Sequence, residues 1–250
     1  MQVQAPSSPN SGRHPIFFVH IPKTSGTSIR RYLMQGYGRK NVLWHNPSQA
    51  TPERNILDLA KTSGLHVENY RALGGHIGFS QIPPVILDRV PVIISMIRDP
   101  LTRALSLYGH VTTRADHPLY AKMAGLSLFE ALKIQRFRRL VDGQQLNYLC
   151  GKNDASSVRP SLQNYTYIIG KQEKSEQFFE ALSQQLDLDR QVDGDDPRVN
   201  VSAVDYKARI QNQEQFDAAF ELLKTLNEQE SVFYNSFDEV LVSIPKQQQA

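Results

Sequence analysis

The 250 residues carry 28 Lys and Arg against 25 Asp and Glu, a formal charge of +3 that is too small to announce a nucleic-acid binder. A chain of this length buries one substantial core, no apolar run reaches the length of a membrane span, and the first residues lack a signal peptide's hydrophobic centre. The single cysteine, Cys150, excludes an intramolecular disulfide; following Leu146 and Leu149, it reads as a small buried hydrophobe.

Residues 1–14 form a polar tail rich in Ser and Pro, expected to be disordered. Ile16 to His20 then reads as a buried strand, and Pro22 and Gly26 punctuate the loop after it. Thr27 and Ser28 precede Ile29 to Leu33, where helical spacing begins, and a helix is expected over 27–36. Its first N–H groups have no intrahelical partner, so together with Lys23 and the hydroxyls of Thr24, Ser25, Thr27 and Ser28 they make an anion cradle fit for phosphate or sulfate. The nucleotide triphosphatase loop places Gly-Lys-Ser/Thr at the helix start, and this chain departs from it: Lys23 precedes Gly26.

Further on, the pattern predicts a strand over 41–45, a helix over 52–62 and a strand over 71–74 that runs into Gly74-Gly75-His76. Pro91 to Ile97 reads as another interior strand, followed by Arg98, a cap at Asp99, Pro100 in a first turn and a helix over 100–113 that carries Ser106. Arg98 therefore stands at the carboxyl end of a strand, where open parallel sheets bind ligands. Helices are expected near 127–140 and 142–150, then a strand from Tyr165 to Ile169 and a helix from Glu173 to Leu186 with Phe178, Phe179 and Leu182 facing inward. Gln191 to Asn200 reads as a loop, and the last third as helical, from Gln211 to Leu226 and from Glu228 to about Val240. Residues 15–243 form one domain without repeats, and 244–250 are a frayed tail. Lys133, Arg136, Arg138 and Arg139 crowd one predicted helix, either as a solvated face or as a rim that attracts an anionic acceptor.

Lys-Thr-x-Gly-Thr-Ser after a first strand, with Arg-Asp-Pro-x-x-Arg-x-x-Ser-x-Tyr after a later one, resembles the carbohydrate sulfotransferases that use 3'-phosphoadenosine 5'-phosphosulfate (PAPS). The closest likeness within that family is to heparan sulfate 2-O-sulfotransferase. Gly75-His76-Ile77-Gly78-Phe79, Gln145 to Gly151 and Tyr167 to Gly170 extend the resemblance over about residues 15–240. It implies an α/β domain of the P-loop-like sulfotransferase fold, with a mainly parallel central sheet between helices, a helical carboxyl-terminal third, PAPS as co-substrate and no metal. Lys23, Thr24, Ser25, Gly26, Thr27 and Ser28 are implied to hold the 5'-phosphosulfate, and Arg98 and Ser106 the 3'-phosphate. Arg198, Asn200 and Ser202 resemble a late loop that closes over the cofactor; a polar connector capping the next helix reads equally well. The Golgi members carry a membrane anchor, so the expectation here is a bacterial cytoplasmic protein, although an excised catalytic domain from the Golgi lumen would read the same.

Sulfuryl transfer to a hydroxyl needs a general base and a cation at the leaving phosphate. His76 is the expected base, since imidazole titrates near neutrality and Gly75-His76 aligns with the second half of the family's His-Gly-His; the first histidine of that motif is Gly74 here. Lys23 is the expected cation. His20 is the competing base, being close to Lys23 in sequence, while His14, His45, His66, His110 and His117 have no matching motif. The expected acceptor is a hydroxyl on a glycan or glycoconjugate. A P-loop-like kinase or ATPase, or a polyanion-binding protein without transfer activity, stays open as an alternative.

Overall fold

Ile16, Phe17, Phe18 and Val19 are all shielded from solvent, as happens only in a strand covered on both faces. The computed structural model describes residues 15–45, 56–61, 66–186, 188 and 212–245. Within them this strand, β1 (Ile16–Val19), lies inside a six-stranded sheet with β2 (Val42–His45), β3 (Ala72–Gly75), β4 (Val92–Ile97), β5 (Thr166–Lys171) and β6 (Val240–Ser243), in the order β2-β3-β1-β4-β5-β6. All neighbours pair in parallel except β6, which runs antiparallel to β5. The helices are α1 (Gly26–Tyr37), α2 (Ile56–Lys61), α3 (Pro84–Leu87), α4 (Pro100–Thr113), α5 (Tyr120–Met123), α6 (Leu128–Lys133), α7 (Gln135–Val141), α8 (Gln144–Cys150), α9 (Val158–Leu162), α10 (Ser175–Leu186), α11 (Gln213–Leu226) and α12 (Glu228–Tyr234).

Both sheet faces are buried by alternate residues of the same strands. Phe17, Val19, Leu73, Ile93 and Ile97 pack on one side with Leu146, Leu149 and Val158. Ile16, Phe18, Ile94, Met96 and Ile168 pack on the other with Ile29 and Leu33 of α1 and Phe178 and Leu182 of α10. A third cluster joins α4, α6, α7 and α11 through Leu107, Val111, Leu132, Phe137 and Leu223. The chain runs from β1 outward to β2 and back through β3, then crosses to β4 on the other flank, so the order reverses between β1 and β4. A crevice forms outside the carboxyl ends of strands at such a reversal, and the two motifs come directly after those two strands.

The α/β fold with a mainly parallel sheet agrees with the expectation, and the boundaries of the predicted elements shift by a residue or two. The carboxyl-terminal third departs from it. Helix α12 ends at Tyr234, and Val240–Ser243 is the edge strand β6 rather than the end of a helix. Its apolar run is short and its faces alternate, with Leu241 buried and Val242 exposed, which gives too few positions for period 2 to stand out in sequence. The helix expected over 127–140 is two helices, because Ile134 leaves the helical region at φ −76°, ψ 105°. The polar tail, the ends of the helix expected over 52–62, the loop from Gln191 to Asn200, residues 246–250 and the candidates Arg198, Asn200 and Ser202 lie outside the described residues.

Gly75 closes β3 at φ 143°, and a Cβ built there would stand 2.0 Å from the carbonyl oxygen of His45 on β2. Gly75→Ala is therefore expected to lower stability by about 2 kcal/mol or more, from overpacking and backbone strain together. Gly125, at φ 81° with nothing within 4 Å of a built Cβ, is the control: Gly125→Ala carries only the backbone term, about 1–2 kcal/mol. Urea unfolding of both variants measures the difference, and equal losses would contradict the packing argument.

Candidate active site

The turn from β1 into α1 is strained backbone. Lys23 and Ser25 both take left-handed conformations, φ 72° and 63°, without being glycine. Successive turns of this kind aim N–H groups into one concavity, an anion nest. Ser25 stands at the N-cap of α1 without a side-chain cap, and the first turn holds no acidic residue. Three other helices close their own starts: Asp99 accepts from the N–H of Thr102 at 2.8 Å on α4, and Ser127 and Asn212 cap α6 and α11. Thr24 is fully buried, and its hydroxyl donates to the carbonyl of Ile21 at 2.8 Å, so its side chain holds the turn closed. Thr27 is exposed, while Lys23, Ser25 and Ser28 are half-buried.

Beside this turn stand two histidines. The ring of His76, just past β3, stacks on that of His20 at 4.0 Å between centroids and 27° between planes. Its Nδ1 lies 3.1 Å from the backbone oxygen of His20; an oxygen there only accepts, so Nδ1 carries the proton and Nε2 the lone pair. Burial is the main force that lowers the His76 pKa below the ordinary imidazole value, with His45 adding to it and the bond to His20 opposing it. For His20 burial again leads, then His76 and Arg30, and its pKa falls well below that value. Both rings are thus neutral at pH 7. A Cβ on Gly26 would meet His20 Nε2 at 1.8 Å, which is why the head of α1 is glycine.

Arg98 comes directly after β4, with its Nε donating to Thr102 Oγ1 at 3.2 Å. Thr102, Ser106 and His110 succeed one another at intervals of four along α4, so they share one face, which continues to Arg114 past the helix end. This face meets the first motif electrostatically. Burial lowers the Lys23 pKa, and the nearby charges of Arg98 and Arg114 lower it further. Among the described residues no carboxylate forms an ion pair with Lys23 or Arg98. His110 is lowered to about 4, first by burial and then by Lys23, His117 and Arg114.

The two motifs and His76 therefore converge on one end of the sheet. The sequence context of His110 does not single it out; the available signal is its position four residues beyond Ser106. Of the basic cluster, Arg136, Arg138 and Arg139 are exposed on α7, and Lys133 Nζ lies over the ring of Phe129 at 4.3 Å. Among the described residues no group of three His, Cys, Asp or Glu side chains gathers as a metal site, and no helix is long and apolar enough to cross a membrane. Cys150 is half-buried, and burial raises its thiol pKa.

A model of the sulfotransferase family matches residues 10–235. The chain belongs to the sulfotransferase family. No curated protein matches it in sequence. Among solved structures, it is similar to a mouse sulfotransferase complexed with PAP, at 13% identity and a TM-score of 0.43 over 85% of this chain and 66% of that one. The chain thus spans just under two thirds of that protein's length. It is also similar to retinol dehydratase, solved with androsterone and inactive cofactor PAP, at 13% identity and a TM-score of 0.31 over 86% of this chain and 80% of that one.

The neutral histidines of this sulfotransferase family member make its stability pH-dependent. Their folded pKa values are depressed, so below the unfolded value of about 6.5 the unfolded chain binds more protons and folding weakens as pH falls. The melting temperature is expected to fall from pH 6.5 toward pH 4, and His110→Asn to flatten part of that slope. Thermal melts across this range measure it; an unchanged slope in His110→Asn would contradict the depressed pKa.

Proposed function

We propose that the protein moves the sulfuryl group of PAPS to an acceptor hydroxyl, with His76 as general base and Lys23 as the cation at the leaving phosphate. One observation carries the reading. At an uncapped helix start, Lys23 is crowded by Arg98 and Arg114, and no described carboxylate pairs with it. Arg114 itself is paired with Asp116, but Lys23 and Arg98 are met by no described carboxylate, and two such cations fit an anionic ligand carrying phosphate and sulfate. Lys23 to Ser28 would hold the 5'-phosphosulfate, chiefly through backbone N–H groups, Lys23 and the hydroxyls of Ser25, Thr27 and Ser28. Arg98 and Ser106 would hold the 3'-phosphate. Arg198, Asn200 and Ser202 are proposed to complete the adenosine side.

When bound, PAPS supplies an activated sulfuryl group on a phosphate leaving group. The chain's part is to move one proton and to stabilise one charge. His76 Nε2, with its lone pair free because Nδ1 is bonded to His20, takes the proton of the acceptor hydroxyl as its oxygen attacks. The ammonium of Lys23 and the N–H groups heading α1 face the charge that grows on the leaving oxygen, where fixed dipoles in a partly buried site act most strongly. A carbohydrate acceptor is favoured by the motif likeness to heparan sulfate 2-O-sulfotransferase and by the exposed arginines of α7. An acceptor screen with isotopically labelled PAPS tests it. Label in a glycan product supports the reading, whereas binding of a sulfated glycan without transfer would favour a silent polyanion binder.

His76→Ala is expected to lower kcat roughly 100- to 10,000-fold and to leave affinity for 3',5'-ADP nearly intact. In the wild type, kcat/KM falls on the acid side with an apparent pKa below 6.5, because protonation removes the Nε2 lone pair and burial delays that protonation. The acid limb disappears in His76→Ala. A variant that keeps the wild-type rate and limb would remove His76 from the mechanism.

Arg98→Ala is expected to weaken 3',5'-ADP about ten- to one-hundred-fold, the worth of a hydrogen bond to a charged group, and to leave 5'-AMP nearly unchanged. Calorimetric titration of both nucleotides measures this. Equal weakening would mean that Arg98 does not read the 3'-phosphate.

A further inference from the structure

Arg98 is held by more than its place at the end of β4. The side-chain amide of Gln145, from α8, brackets its backbone: Oε1 accepts from the Arg98 N–H at 2.9 Å, and Nε2 donates to the Arg98 carbonyl at 3.0 Å. This is the pairing a neighbouring strand would give, supplied instead by one side chain 47 residues away. Gln145 is itself fixed by Glu230 of α12. Its Nε2 also donates to Glu230 Oε2 at 2.9 Å, and its backbone N–H donates to Glu230 Oε1.

Glu230 is 1% exposed, and desolvation raises its pKa. Two features make a buried carboxylate tolerable there. It stands at the start of α8, where the N–H groups of Gln145 and Leu146 point at it and Gly143 provides no side-chain cap. The guanidinium of Arg103, fully buried on α4, lies close enough to favour the ionised form, and it donates to Gln144 Oε1 at 3.0 Å and to the Leu140 carbonyl. The proposed 3'-phosphate pocket is thus backed by a connected, buried polar network from α4, α8 and α12. Such networks hold one geometry because each member's alternatives are unpaired.

We propose that Gln145, locked by Glu230, is a positioning residue that fixes the backbone of Arg98 so that its guanidinium meets the 3'-phosphate. The inference rests on the proposed role of Arg98 as the reader of that phosphate. Gln145 touches no nucleotide in this scheme; it acts through Arg98. Holding a charged donor in place matters because the charge-assisted bond falls away steeply with distance and angle.

The test is a double-mutant cycle read by calorimetry with 3',5'-ADP and 5'-AMP, on Arg98→Ala, Gln145→Met and the double variant. Gln145→Met keeps the length of the side chain and removes both bonds to Arg98. It is expected to weaken 3',5'-ADP about tenfold, to change 5'-AMP less than twofold, and to add nothing in the Arg98→Ala background. Selective loss in Arg98→Ala, combined with equal loss of both nucleotides in Gln145→Met or full additivity in the double variant, overturns the positioning role alone. Non-selective loss in Arg98→Ala overturns the pocket assignment and the positioning role with it. Should Gln145→Met fail to fold, Glu230→Gln, which keeps an acceptor oxygen facing Gln145, is read in the same cycle. A smaller but still 3'-phosphate-selective loss that vanishes with Arg98→Ala supports the proposal, and a non-selective one overturns it.

Discussion

The site depends on how closely the end of β1 approaches the end of β3. His20 concentrates that contact: its N–H donates to the carbonyl of Gly75 at 3.0 Å, its own carbonyl receives His76 Nδ1, and its ring lies between His76 and the first residue of α1. Three glycines answer to this approach. Gly26 leaves room for the His20 ring, Gly75 for the β2 backbone, and Gly74 for β1, since a Cβ there would stand 2.6 Å from the carbonyl oxygen of Phe18. The absence of a first histidine at Gly74 is therefore more than an exchange of side chains. In this packing the position admits none.

A second constraint is the placing of negative charge. The site proposed for an anion would fail if the protein's own carboxylates reached its cations first. Asp116 reaches Arg114, but the other described acids near Lys23 and Arg98 are engaged otherwise. Asp99 caps α4, and Glu173 accepts from the Asp99 N–H and from the Tyr234 hydroxyl. Glu230 lies behind Arg98 and serves α8. The strained conformations of Lys23 and Ser25 belong to the same design, because residues held in sparsely populated regions cost roughly 1–3 kcal/mol each and persist only where the surroundings over-determine them. Here β1 and α1, both packed into the sheet's buried faces, fix the two ends of the turn.

How much of this is legible in the sequence depends on the range of the interactions involved. β1 and β4 are runs of mostly bulky apolar residues ending in sharp punctuation, and local composition identifies them and the residues just after them. The edge strand β6 offers three apolar residues, and the break at Ile134 has no Gly or Pro to mark it. The Gln145–Glu230 and Gln145–Arg98 contacts join residues 85 and 47 positions apart, which no local pattern encodes. Gln145 lies within a segment that carries family resemblance, yet nothing in that segment says that its amide faces an arginine. His110 is legible in principle, four residues beyond Ser106, but a histidine on a helix is informative only once Lys23 is known to face it.

The two stacked histidines differ in geometry. Both stand beside the turn from β1 into α1 and both are neutral, so neither position nor charge separates them. A general base needs a nitrogen whose tautomer is fixed and whose lone pair is accessible, and His20 has its Nδ1 buried and without a hydrogen-bond partner among the described residues. Its Nε2 faces Gly26 at the head of α1. His76 has the arrangement a base requires: one nitrogen anchored to a carbonyl that fixes the tautomer, and the other left to accept. The proposed roles thus divide along one contact. His20 supplies the carbonyl that orients and the ring that supports, and His76 holds the lone pair.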